Sequence, residues 1–380
     1  MRPAPSRQER RTASAKQGNH AATRKQEHMA QYLLIGGNGI IGHFVARRLV
    51  AQGARPVIFS RGGDTTLVRD IADQCDHVRG DMTNRAAIDA ALQKYRITHV
   101  VHLGAALPAL TEKDPAAAVR LNIEGTAHVL QAAVDNGVAR VVLASSKAVY
   151  GRMQGAYAAP TYAPVPETLH PEPDTVYGIS KGACEQLADW YRRQHGLDCV
   201  ALRFAATIGP GKIARHGGSF SRHSVIVENA MAGHPVRVDG DVDAVCDGLF
   251  NDEGARGIVC ALQAPKVRHL IYNIATGSGF SLRQFAAAVQ RRFPDAVFTF
   301  EVLPGAGGAS NFVLDPARAR EDFGFVADAD LDRIVQAYVA TMDVLGLAPD
   351  VERGGGREVA RQGLMSARVD GGKGSVHVDT

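Results

Sequence analysis

Short apolar runs alternate with amphipathic stretches through the first half of the chain. Residues 31–35, 56–59, 77–79, 98–103, 140–144 and 198–204 read as strands. Residues 40–52, 85–95, 116–136 and 180–195 carry the helical period between them. Strands that alternate with helices need right-handed crossovers, which makes a parallel, doubly wound α/β sheet. Runs apolar throughout suit strands covered on both faces. At Gly209-Pro210-Gly211 a cluster of breakers ends the rhythm. Beyond it, helical patterns at 225–232, 255–262 and 281–292 interleave with strand patterns at 235–238, 269–274 and 297–300, and a last helix covers 330–344. The pattern predicts a sheet domain over residues 30–210 and a smaller α/β lobe over 211–350 capping the sheet's open edge. No internal repeat is visible.

The ends of the chain lack this pattern. The first 31 residues contain no Leu, Ile, Val, Phe, Tyr or Trp, too little apolar surface to repay the entropy of ordering. Residues 1–29 therefore read as a disordered leader, with Met29 the expected native start. Residues 351–380 turn glycine-rich and read as a second loose tail. These ends also explain the charge. The chain is +4 overall, but residues 1–28 are +5 and residues 351–380 are +1, which leaves a body near −2. A body of that sign gives no reason to expect a nucleic-acid partner. No apolar run approaches the ~18 residues of a membrane span. Five scattered cysteines, Cys75, Cys184, Cys199, Cys246 and Cys260, form no C-x-x-C pair. They read as reduced thiols of a cytoplasmic protein. No Cys/His cluster has zinc spacing, so no metal is expected.

Two patterns carry chemistry. Gly36, Gly39 and Gly42 punctuate the turn between the first strand and the helix that follows. Glycines there permit a tight turn and let backbone approach a pyrophosphate. The helix N-terminus, at Ile40, Ile41 and Gly42, offers free N–H groups and a positive dipole. In that strand–turn–helix setting the pattern marks a dinucleotide site. Ser60-Arg61 at the end of the second strand supplies a hydroxyl and a guanidinium where an acid would favour a bare ribose. The cofactor is then NAD or NADP, with a lean to NADP; Arg61 stacked on adenine would suit either. Asp81 after the third strand fits an adenine amine, or alternatively a helix N-cap. The second pattern is Tyr177-Gly178-Ile179-Ser180-Lys181, which sets a phenol and an ammonium one helical turn apart. The cation stabilises a phenolate and suits Tyr177 to general acid/base work. Ser145-Ser146 close the fifth strand, at the sheet end where ligands of such folds collect.

Together these residues resemble the extended short-chain dehydrogenase/reductases, and within them the NAD-dependent epimerase/dehydratase group. His102-Leu103-Gly104-Ala105-Ala106, Asn122-Ile123-Glu124-Gly125-Thr126, Leu202-Arg203-Phe204, Tyr272-Asn273-Ile274 and Asp315-Pro316-Ala317-Arg318 extend the resemblance over about residues 30–345. It implies a Rossmann-type sheet with a smaller C-terminal substrate lobe. It makes Tyr177 the catalytic acid/base, Lys181 the partner of the nicotinamide ribose, and Ser146 a hydrogen-bond donor to the reacting oxygen. It also implies cofactor contacts from Met82, Leu103, Gly104 and Ala105 and a substrate contact from Arg203. A homodimer through the helices at 116–134 and 180–195 follows by analogy.

One departure bears on the substrate. Nucleotide-sugar members of the group often hold the substrate diphosphate with an arginine. In the matching stretch, residues 244–250, Cys246 stands in its place. Arg215, Arg222 or Arg237 could substitute for that arginine, although each of these arginines taken singly reads more readily as a solvated surface charge of the lobe. Lys212, Arg215, His216 and His223 cluster after the breaker and suit an acidic small molecule. The expected function is hydride transfer at a carbinol or carbonyl carbon of a sugar or nucleotide-sugar-like substrate. The alternatives are a reductase or dehydrogenase of a small hydroxy or keto compound, and a non-catalytic dinucleotide sensor.

Overall fold

The structure, a computed structural model, describes residues 30–62, 64–216, 221–302 and 311–351, without the side chains of 215 and 216. The expected leader, and the tail beyond Val351, lie outside the described residues. Among the described residues, twelve strands are present in the order β1 Tyr32–Ile35, β2 Val57–Ser60, β3 Asp76–Arg79, β4 His99–His102, β5 Arg140–Ser146, β6 Cys199–Phe204, β7 Ala206–Ile208, β8 Val236–Gly240, β9 Cys246–Phe250, β10 Ile271–Ile274, β11 Gly279–Phe280 and β12 Phe298–Val302. Seven form the large sheet in the order β10-β6-β5-β4-β1-β2-β3, with every pairing parallel. This is the doubly wound sheet that the alternating pattern predicts. β1 and β6 are buried at every position, whereas edge strand β3 alternates half-buried and exposed. Position in the sheet, not strand propensity, decides which runs must be wholly apolar.

The strand order reverses between β1 and β4, so the loops that follow them diverge and leave a crevice at the carboxyl end of the sheet. Helices Gly42–Ala51 and Asn251–Gln263 lie against one another near this sheet. Arg48 makes a bidentate pair with Asp252 across them, at 2.7 and 2.8 Å. Beyond β6 the chain leaves the large sheet through β7, which pairs with β9, and β9 pairs with β11. A separate parallel pair joins β8 to β12. One expectation is corrected here. The strand expected at 269–274 in the smaller lobe is β10, which extends the large sheet by pairing with β6. Linear spacing gives no pairing partner, and Tyr272, fully buried on that strand, is core to the sheet.

The expected helix at 116–136 is three pieces: Pro115–Ala118, a π-helical turn Val119–Glu124 and Gly125–Asp135. The helix expected from 180 begins earlier, at Val176, and runs to His195. Thr175 Oγ1 caps it by accepting from Gly178 N at 3.1 Å. The Glu112 carboxylate accepts from Tyr177 N at 3.2 Å. Such side-chain acceptors satisfy N–H groups that a helix start leaves free. Tyr177 is thereby held on the first turn. Among the described residues, no helix is long and apolar enough to cross a membrane, and no group of His, Cys, Asp or Glu is placed to hold a metal.

Candidate active site

A cavity of about 1440 Å³ follows the crevice from the Gly36 loop to the smaller lobe. Gly36, Gly39, Ile40, Ile41 and Gly42 stand together at one end, the expected nucleotide end. Helix Gly42–Ala51 starts without a side-chain cap and without an acid in its first turn, so its N-terminal dipole is left to a ligand. A Cβ at Gly42 would stand 2.4 Å from Gly36 O and 2.7 Å from Gly37 Cα. Only glycine lets the helix start so close to the strand end. Ser60 and Arg61 line the same end, beside Asp81 and Met82, and Leu103, Gly104 and Ala105 line its β4 side. Asp81 does not cap the next helix, a place taken by Asn84. Its Oδ1 accepts from Thr83 N and Thr83 Oγ1, and these bonds, helped by the Arg61 charge, hold its carboxyl below the usual range.

The middle of the cavity holds Ser146, Tyr177 and Lys181. Ser146 and Tyr177 come from elements thirty residues apart in sequence, brought together because helix Val176–His195 packs on the turn after β5. Gly178 permits this: a Cβ there would meet Ala148 O at 2.4 Å. Lys181 Nζ donates to Ala144 O at 2.8 Å and lies 5.7 Å from the centroid of the Tyr177 ring. The two serines divide their work. Ser145 Oγ donates to Glu185 at 2.5 Å inside the protein, whereas half-buried Ser146 Oγ accepts from Ala148 N at 3.2 Å at the cavity wall. His102, fully buried below Lys181, is pushed down to about 3 by burial and by that lysine's charge, so it stays neutral and hydrogen-bonds Thr126.

The π-helical turn contributes Asn122, which had matched a motif but was given no role. Its Oδ1 accepts from Ala106 N at 2.7 Å and its Nδ2 donates to Ser180 Oγ at 2.9 Å. It ties the loop after β4 to the helix that carries Tyr177 and Lys181. It thereby fixes the distance between that loop and Tyr177. The sequence signal that points to it is the motif Asn122-Ile123-Glu124-Gly125-Thr126, a polar side chain inside a helical run.

Arg203, expected to touch substrate, is corrected. It is 3% exposed, does not line the cavity, and pairs with Glu185 through Nε at 2.9 Å and Nη2 at 2.7 Å. Its guanidinium also covers the Tyr150 ring at 4.5 Å. A charge this deep needs a fixed partner, and β6 aims it at helix Val176–His195 instead of the cavity. Lys212 does line the cavity, whereas the side chain of Arg215 lies outside the described residues. At the lobe end the cavity also meets Lys147, Arg222, His223, Asp241, Cys246 and Phe312. Lys147, Arg222, Asp241 and Phe312 come from segments too far apart for spacing to join them.

The NAD dependent epimerase/dehydratase family matches over residues 32–275. The chain belongs to this family. It is an extended short-chain dehydrogenase/reductase, an enzyme of the epimerase/dehydratase or oxidoreductase type, and its cofactor is of the NAD type. Among curated relatives it is 25% identical to the mitochondrial L-threonine 3-dehydrogenase of Bos taurus, covering 83% of each chain. It is 27% identical to the UDP-glucose 4-epimerase of Mus musculus, over 81% of this chain and 95% of the relative. Among solved structures, the UDP-glucose 4-epimerase of Thermus thermophilus in complex with NAD superposes with a TM-score of 0.70 at 26% identity, over 82% of this chain and 99% of that one. The holo L-threonine dehydrogenase of Cupriavidus necator gives 0.71 at 27% identity, over 82% and 99%. The relatives thus include both epimerases and dehydrogenases. The uncapped helix and the glycine contacts described above fit the pyrophosphate of a dinucleotide.

Proposed function

We propose that the protein catalyses hydride transfer at a carbinol or carbonyl carbon of a sugar or similar small hydroxy compound, with Tyr177 as acid/base. The observation that carries this reading is the convergence of Ser146, Tyr177 and Lys181 on one wall of the cavity, next to a helix start free to hold a dinucleotide. When bound, the nicotinamide supplies a carbon that accepts or returns hydride. The chain's own part is to move the proton and fix the geometry. Ser146 Oγ donates to the substrate oxygen and holds it beside the Tyr177 hydroxyl. Tyr177 takes the carbinol proton as hydride leaves the carbon, and gives it back in the reverse step. The Lys181 ammonium, braced on Ala144 O, lowers the cost of charge on the phenol. Asn122 and Glu112 position the helix that carries both.

The lean to NADP belongs to the same proposal. No acid closes β2, and Ser60 and Arg61 face the cavity there, a pairing suited to a 2′-phosphate. Comparison of KM for NAD and NADP tests it, and strong preference for NAD removes it. A second reading, a dehydrogenase of a small hydroxy compound, is favoured by Cys246, which stands where nucleotide-sugar members carry an arginine and leaves Arg222 as the described guanidinium at the lobe end. Tyr177→Phe tests the central claim. Turnover should vanish while the dinucleotide still binds, and near-normal turnover overturns the assignment.

A further inference from the structure

Among the described residues, the lobe end of the cavity collects more positive than negative charge, with Lys147, Lys212 and Arg222 against Asp241 in its lining. This inference rests on reading the cavity as the substrate site and names the substrate's chemistry. Lys147 is 5% exposed and Lys212 is 6% exposed, yet both line the cavity. Lys147 Nζ donates to Phe312 O at 2.9 Å and to Cys246 Sγ at 3.6 Å, and stands 4.0 Å over the Phe312 ring. Lys212 Nζ donates to Thr207 O and, at 3.2 Å, to Thr207 Oγ1. An ammonium has three donors, so each keeps one free of these contacts. All of these acceptors are uncharged oxygens or sulfur.

Among the described residues, the acids near that end bond neither lysine. Asp247, on β9 beside Cys246, has its carboxylate held by Thr276 Oγ1 at 2.7 Å and by the backbone N–H groups of Thr276, Gly277 and Leu314. Its charge offsets that of Lys147 but reaches Lys212 with no bond. Asp241 lines the cavity without bonding either lysine. Arg222 and Lys212 are close enough to His223 that, with burial, they push its imidazole down to about 3. That histidine is therefore neutral, and the balance of formal charge around the lysines stays positive. Burial pulls Lys212 itself down to about 8, opposed only by the Cys246 thiol. Two buried cations whose hydrogen-bond acceptors are all neutral are costly, and with Asp247 offsetting Lys147 alone an anionic ligand group relieves the rest.

We propose that Lys147 and Lys212 hold a carboxylate of the substrate, making the protein an enzyme of short hydroxy or keto acids. Lys147 follows Ser146 directly in sequence and both line the cavity, so the anion and the reacting oxygen are assigned to neighbouring residues. That adjacency suits a carboxylate a few bonds from the carbinol. A nucleotide diphosphate lies a whole sugar ring away and is best met by the planar fork of arginine.

Cys246 provides a test that needs no turnover, because its half-buried thiol touches Lys147. Iodoacetate and iodoacetamide alkylate a thiol by the same displacement of iodide, but only iodoacetate carries a carboxylate. Their rates at Cys246 in the full-length protein are measured by peptide mass spectrometry, with urea-denatured protein as reference. The iodoacetate-to-iodoacetamide ratio should rise about tenfold on folding, the scale of one nearby charge in a partly screened site. Lys212→Met and Lys147→Met should each return it toward the denatured value. Small hydroxy acids should protect Cys246, and inorganic phosphate and UDP should not. An unchanged ratio, or protection by UDP or phosphate alone, overturns the proposal. The wild-type ratio stands even if a variant fails to fold. Should the carboxylate preference hold while Tyr177→Phe stays active, only the catalytic reading falls; should Tyr177→Phe be inactive and the ratio unchanged, only the carboxylate reading falls.

Discussion

The two ends of the cavity are built in different ways. The nucleotide end is made of backbone: three glycines spaced within seven residues, a helix start, and the loop after β4. The lobe end is made of side chains from Lys147, Lys212, Arg222, Cys246 and Phe312, on five separate segments. A pyrophosphate is recognised by N–H groups that any sequence carries, so the requirement falls on which side chains must be absent. A substrate is recognised by which side chains are present, and those can arrive from any segment that the fold delivers. The first kind of site is therefore local in sequence and the second is not.

This contrast is open to attack, most forcefully at the centre where the two ends meet. Tyr177→Phe should lower kcat by roughly 10²–10⁴-fold, the range of a lost general acid/base. Dinucleotide titration should be unaffected, which separates chemistry from the nucleotide end. Arg203→Met tests the boundary between site and core. It leaves Glu185 buried without its partner and should cost about 3–5 kcal/mol of stability by denaturant unfolding, with KM unchanged in the protein that remains folded. A large rise in KM at full stability would return Arg203 to the substrate.

Smaller effects probe each end alone. Lys212→Met should raise KM for an acidic substrate by about tenfold and leave cofactor affinity alone. The same variant has a pH signature. The folded-state pKa of Lys212, about 8, lies below the ordinary lysine value. Folding therefore carries a full penalty for the buried charge below pH 8, and the penalty fades as pH rises from there toward the unfolded pKa. Lys212→Met should consequently raise Tm more at pH 7 than at pH 10; an equal shift at both would contradict the buried-charge account. Gly42→Ala should be felt at the opposite end. Its Cβ would press on Gly36 O and the Gly37 backbone, costing about 1–3 kcal/mol and weakening dinucleotide binding, read by thermal melts with and without cofactor.

Much of the fold was legible because its signals are local. Apolar runs separated by helical periods located β1 to β6, and the Gly36 loop announced the crevice. Tyr177 and Lys181 were legible because one helix turn joins them. Pairing partners were less so: β10 was placed in the smaller lobe because nothing in a four-residue strand names β6 as its neighbour. Arg203 was misplaced for a related reason. Its position on β6 was correct, but whether a side chain at that position faces the cavity or Glu185 depends on how helix Val176–His195 packs. The roles of Asn122 and Lys147 are not legible in sequence, because an amide in a helix, or a lysine after two serines, gains its partners only when the loop after β4 and Phe312 are folded beside it.

By itself the sequence determined the alternation of strand and helix, the glycines that clear space for a pyrophosphate, and the spacing of phenol and ammonium. Each follows from backbone geometry over a few residues, where chain connectivity fixes the distances. Tertiary structure alone decided that the Ser145 hydroxyl and Arg203 are both spent on Glu185, and that Lys147 and Lys212 meet around Cys246. Those are contacts between segments tens of residues apart, where connectivity fixes nothing and only packing brings the charges together.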